Sequence, residues 1–119
     1  MLIEMKRPED CEVAIDPDHF FHSGNNTVGR FRKIAGLAAA SDLLYGTNCV
    51  EQWLSTVKIY IGIHENDIGF YEQKRKECLA AGYKRAAKGA LNAKVREESK
   101  LRRYKLYKEI LEEASNGKS

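Results

Sequence analysis

From Asp67 to Ala114 the chain contains no proline, and nearly every residue suits a helix. Proline removes a backbone donor and clashes with the preceding turn, so a tract without it can stay helical throughout. Ile68, Tyr71, Leu79, Tyr83, Ala86, Ala90, Ala93, Leu101, Tyr104, Leu111 and Ala114 approximate one face of such a helix. Gly82 and Gly89 weaken its middle. Arg96–Lys100 has no apolar residue, so it reads either as a break between two helices or as an exposed stretch of one. The last five residues, 115–119, read as a frayed tail.

Upstream, Thr27 is a suitable N-cap, followed by a stripe of Phe31, Ile34, Leu37, Ala38 and Leu44 and a stop at Gly46. Asn48 with Glu51 three residues on has the form of a capping box. Trp53, Val57, Tyr60, Ile61, His64, Ile68 and Tyr71 then recur at three- and four-residue spacing. Val57, Ile59, Ile61 and Ile63 also alternate with Lys58, Tyr60 and Gly62, a strand pattern rich in β-branched residues. Leu2–Met5 and Cys11–Ile15 alternate weakly around Arg7-Pro8-Glu9-Asp10 and suggest a small hairpin. Phe20 and Phe21 would anchor the polar stretch that follows.

The expected fold is mainly α, with three to four helices, a long C-terminal basic helical arm and a small N-terminal β-hairpin. The alternative is α+β with a third strand at 57–63. A length of 119 residues leaves room for one domain. Its segments read as a hairpin and loop at 1–26, a helical core at 27–65, and a basic helix or helix pair at 66–114. The first ten residues have no apolar run of the secretory kind, and Ile34–Tyr45 is too short and too interrupted by Asp42 to span a bilayer. Cys11, Cys49 and Cys78 form no CxxC pair, and the odd count favours free thiols in a reducing, cytoplasmic setting.

Charge is distributed unevenly. Residues 74–108 hold thirteen of the twenty Lys and Arg residues and only three acids, while the remainder holds seven basic and fourteen acidic residues. A basic stretch against an acidic remainder is the pattern of a surface that meets a polyanion. Lys84, Arg85, Lys88, Lys94, Arg102, Arg103, Lys105 and Lys108 supply cations, and Tyr83, Tyr104 and Tyr107 among them supply flat rings for bases to stack on. The competing reading is a solvated helix face, with Glu97, Glu98, Glu109, Glu112 and Glu113 making spaced ion pairs.

Other motifs are weaker. Gly24 to Arg30 has phosphate-loop spacing, but Arg30 replaces the lysine and Phe31 the magnesium-binding hydroxyl. What remains is an anion site at a helix start, carried by Arg30, Arg32 and Lys33. Asp16, Asp18, His19 and His22, with His64 elsewhere, offer metal-ligand types, but His19 and His22 at i, i+3 could share an ion only in a helix, which Pro17 and the loop composition oppose. No nucleophile sits in a catalytic motif. The expectation is therefore a non-enzymatic binding protein without cofactor or metal. Its partner would be nucleic acid or another polyanion, contacted mainly at phosphates. The alternative is an interaction adaptor or inhibitor of the kind mobile elements encode. It would form a homo-oligomer through the Leu79–Leu111 stripe and bind an acidic protein or a small phosphorylated ligand.

Overall fold

The computed structural model describes residues 27–116, which form α1 (Val28–Tyr45), α2 (Cys49–Ala80) and α3 (Lys84–Asn116). No strand occurs among the described residues, and Val57–Ile63 lies inside α2. The alternation there is incidental. Val57 is buried while Ile59 and Ile63 face solvent, which is helical and not sheet periodicity. The expected N-terminal hairpin lies outside the described residues.

Each helix end has an identifiable cause. Thr27 accepts the Arg30 N–H at 3.3 Å and starts α1 as expected. Gly46, at φ 63°, ends it, returning its N–H to the Asp42 carbonyl at 3.0 Å. The start of α2 departs from the expected capping box. Asn48 has φ 58°, a left-handed conformation unlike the extended backbone of an N-cap. The orphan N–H groups go to Asp42 instead. One carboxylate oxygen accepts from Cys49, and the other accepts from Val50 at 3.0 Å. Thr47 braces this carboxylate with a 2.9 Å hydrogen bond, and its hydroxyl also meets Ser41 and Cys49.

Helix α2 ends in a paired motif. Tyr83 N–H reaches the Cys78 carbonyl at 2.8 Å, and Gly82 N–H reaches Leu79 at 3.1 Å. Gly82 supplies the positive φ of 84° that this geometry requires. The break between the two helices therefore falls at residues 81–83, and of the two readings of Arg96–Lys100 the second holds, a stretch of uninterrupted helix. The turn also resets the apolar phase. Ala87 and Ala90 are buried, whereas Leu79, Tyr83 and Ala86 are exposed. Ser115 and Asn116 belong to α3 and not to a frayed tail.

The chain divides into two compact units. Among the described residues the first comprises 27–58 and 106–116. Phe31, Ile34, Ala35 and Ala38 of α1 are buried there, with Val50, Trp53 and Val57 of α2 and Tyr107, Ile110 and Leu111 of α3. Phe31 stacks on Tyr107 (centroids 4.1 Å, planes 8° apart) and meets Trp53 edge-on at 5.2 Å. Leu44, expected in the α1 stripe, is half-exposed, because the helical phase brings Ser41 inward instead.

The second unit, residues 59–105, is a helical hairpin made by the C-terminal part of α2 and the N-terminal part of α3. Tyr60 faces Tyr104, His64 faces Glu97 and Glu72 faces Lys94, an antiparallel pairing that closes toward the turn at Gly82. Its buried side chains are few and mostly small: Ala87, Ala90 and Tyr104.

The cap at α2 gives a direct test. Asp42→Ala should destabilise the protein by about 1–2 kcal/mol, as loss of a doubly used capping carboxylate does. Glu51→Ala should cost less than about 0.5 kcal/mol, since Glu51 is exposed. Asn48→Gly should be neutral or stabilising, because glycine tolerates positive φ. Urea unfolding of the three variants measures all of this, and a larger loss for Glu51→Ala than for Asp42→Ala would restore the capping box.

Candidate nucleic-acid interface

The uneven charge of the sequence resolves onto the two units. Between residues 59 and 105 there are twelve Lys and Arg residues against six Asp and Glu. The described part of the first unit holds five of each. The basic surface is therefore a property of the hairpin.

Within it, the cations divide into two groups. Lys94 reaches across to Glu72 at 2.7 Å, and Arg75 reaches the other Glu72 oxygen at 2.5 Å. Lys100 lies 3.4 Å from Glu97. These three serve the hairpin itself, so Lys94, expected as a ligand-facing cation, is a packing residue. Lys84, Arg85, Lys88, Arg102, Arg103 and Lys105 are all exposed, and none makes an ion pair with a described residue. Arg96 joins them. Arg85, Lys88, Asn92, Arg96, Ser99 and Arg103 follow one another at three- and four-residue spacing, forming one solvent-facing stripe without an acid. At about 1.5 Å of rise per residue, the stripe is about 27 Å long.

Of the expected residues only Arg85, Lys88 and Arg103 lie on this line; Lys84, Arg102 and Lys105 are exposed beside it, and Tyr104 and Arg30 do not join it. Tyr104 is 8% exposed, and its ring stacks on both Tyr60 (5.4 Å) and His64 (5.2 Å) of α2. Burial, with Tyr60 nearby, raises its phenol above the ordinary value. A base cannot stack there. Tyr83 can supply the ring instead, being 66% exposed on the turn immediately before Lys84 and Arg85. Arg30 is exposed near the start of α1 and belongs to the first unit. The glycine loop that would have completed its anion site lies outside the described residues, as do Asp16, Asp18, His19 and His22.

The placement of charge along α3 is unfavourable to the helix. A helix presents partial positive charge at its N-terminus and negative charge at its C-terminus. Here Lys84 and Arg85 occupy the first turn with no acid, and no basic residue occupies the last turn. Each misplaced charge costs about 0.3–1 kcal/mol. Local helix energetics does not explain these residues, and such violations concentrate where a surface serves another purpose.

The polar contacts across the hairpin carry their own electrostatics. Hydrogen bonds from Arg75 and Lys94 lower the Glu72 carboxyl to about 2. Burial pushes the Glu97 carboxyl up, but the hydrogen bond from His64 and the charge of Lys100 outweigh it and leave it below its ordinary value. Among the described residues no helix is long and apolar enough to cross a membrane. No family model matches the chain, and neither a curated protein nor a solved structure matches it.

The Glu72 carboxyl falls from its ordinary 4.5 when unpaired to about 2 in the fold. Its pairs therefore add stability above about pH 4.5 that is lost as pH falls toward 2. Glu72→Gln should flatten the decline of melting temperature between those limits, followed by circular dichroism. A decline as steep as that of the parent protein would show that Glu72 is not the responsible group.

Proposed function

We propose that the protein is a non-enzymatic nucleic-acid-binding protein whose helical hairpin contacts phosphates through the exposed stripe of α3. One observation carries this reading: Lys84 and Arg85 sit unpaired among the described residues at the helix end where they cost stability. A polyanion at that end would turn two unfavourable charges into favourable ones. Lys88, Arg96, Arg102 and Arg103 extend the contact along α3, and Lys74 and Lys76 add exposed charge on α2. Phosphates recur every few ångströms along a strand, so a stripe of this length can engage several at once. Contact of this kind is salt-sensitive and weakly sequence-specific. Tyr83 offers a stacking surface to an unpaired base at the turn.

A second reading is self-association, favoured by an observation on α2. Ile59, Ile63 and Phe70 are 62%, 45% and 61% exposed, and their spacing places them along one face of the helix. The residues first expected to mediate it are otherwise engaged. Tyr104 and Leu111 are buried within the chain, and Leu101 is half-buried. An oligomer would therefore use the α2 face.

Charge reversal separates function from folding. Lys84→Glu with Arg85→Glu should stabilise α3 by about 0.5–2 kcal/mol and weaken binding of labelled single- and double-stranded oligonucleotides at least tenfold. Arg102→Ala with Arg103→Ala should lower the salt slope of log K by about 2. Lys94→Gln should leave binding nearly intact. Fluorescence anisotropy at two salt concentrations reads each effect, and absence of binding at low salt would overturn the proposal. Light scattering tests the second reading. Ile63→Lys should convert an oligomer to a monomer, and a parent protein monomeric at high micromolar concentration would remove it.

A further inference from the structure

The most specific side-chain cluster in the hairpin lies apart from the basic stripe. His64 and Asp67 are three residues apart on α2 and so share one helix face. Glu97 comes to them from α3, with Oε2 2.5 Å from His64 Nδ1. One donor atom from each of the three residues lies within 4.8 Å of the other two. We propose that His64, Asp67 and Glu97 form a binding site for a divalent transition-metal ion of the zinc class.

Four features favour a built site over a surface coincidence. The donors come from two helices and from positions 33 residues apart, so the hairpin fold assembles them. His64 and Glu97 are sheltered, with side chains 12% and 14% exposed. The imidazole is held in orientation by stacking on Tyr104, planes 16° apart. Glu97 is anchored through its other oxygen by Lys100 at 3.4 Å, the kind of outer support that ligating carboxylates use.

The donor set narrows the ion. An imidazole with two carboxylates suits zinc, cobalt, nickel or manganese, whereas calcium and magnesium prefer all-oxygen sites. An ionised Glu97 is acceptor-only, so Nδ1 carries the proton between the two groups. A metal ion bound at Nδ1 would take the place of that proton. Metal–ligand distances near 2.1 Å require the His64–Glu97 separation to widen modestly, and Asp67, half-buried one turn on, completes the third bond. Three protein ligands would leave a fourth position for water.

The test uses the full chain with zinc chloride by calorimetry and cobalt chloride by absorption spectroscopy. One ion per chain should bind, with visible cobalt bands and no intense thiolate band in the near ultraviolet. His64→Gln and Asp67→Asn should each weaken binding by more than tenfold while circular dichroism shows unchanged helix content. If His64→Gln unfolds the hairpin, Asp67→Asn alone decides, since Asp67 holds no hydrogen-bonded pair of the kind His64 holds. Absence of zinc uptake, affinity unaltered in Asp67→Asn, or a thiolate band from Cys11, Cys49 or Cys78 would each overturn the proposal.

Discussion

Phe31 is the point through which three helices are joined. It is fully buried, stacked on Tyr107 of α3 and set edge-on to Trp53 of α2. Aromatic pairs of this geometry contribute about 0.5–1.5 kcal/mol beyond the burial of their area. Much of the α1 stripe is alanine, which lets helices approach closely but buries little surface. The large buried side chains of the first unit are therefore these three rings together with Ile34, Val50, Val57, Ile110 and Leu111. The second unit has no counterpart to this cluster. It relies on Ala87, Ala90, stacked rings and ion pairs across the hairpin, and such exposed or half-exposed pairs stabilise weakly. Local opening should accordingly be easiest there, where the exposed cations also lie.

Much of this arrangement was legible in the residues. Thr27 and Gly46 bound α1 because a hydroxyl cap and a left-handed glycine act locally. The stripe from Trp53 to Tyr71 is helical as its spacing requires, and length decides against the strand pattern, since the helical period continues on both sides of residues 57–63. What was not legible depends on partners distant in sequence. Asp42 caps the following helix across a turn, a role that no local pattern around Asn48 reveals. Gly82 and Gly89 looked equivalent, yet only Gly82 has positive φ, and the phase of α3 follows from that turn.

The candidate site shows the same division. A stripe of exposed cations could be read from composition, because solvated residues need no partner to define them. Lys94 and Tyr104 could not be placed that way. Each points inward only because α2 lies opposite, with Glu72 and Tyr60 as receivers. His64 and Glu97 likewise gain meaning only when the hairpin brings them together. The one available signal was that His64 falls on the apolar face of α2, where a polar residue needs a buried partner.

These placements bear on how the hairpin would respond to a polyanion. There are twelve basic residues against six acidic ones between 59 and 105, and two of the acids, Glu72 and Glu97, are already engaged by Arg75, Lys94, Lys100 and His64. The outward cations are left to repel one another and the positive end of α3. That repulsion opposes folding of the unit with the smaller apolar core. A bound phosphate chain would screen the repulsion and complement the helix end in one step, so binding and folding of the hairpin would be thermodynamically linked. Neutralising the same cations by mutation would also stabilise the hairpin, but it would abolish the linkage. Under the proposed function, the unfavourable charge is a property of the ligand-free state and not a defect of the fold.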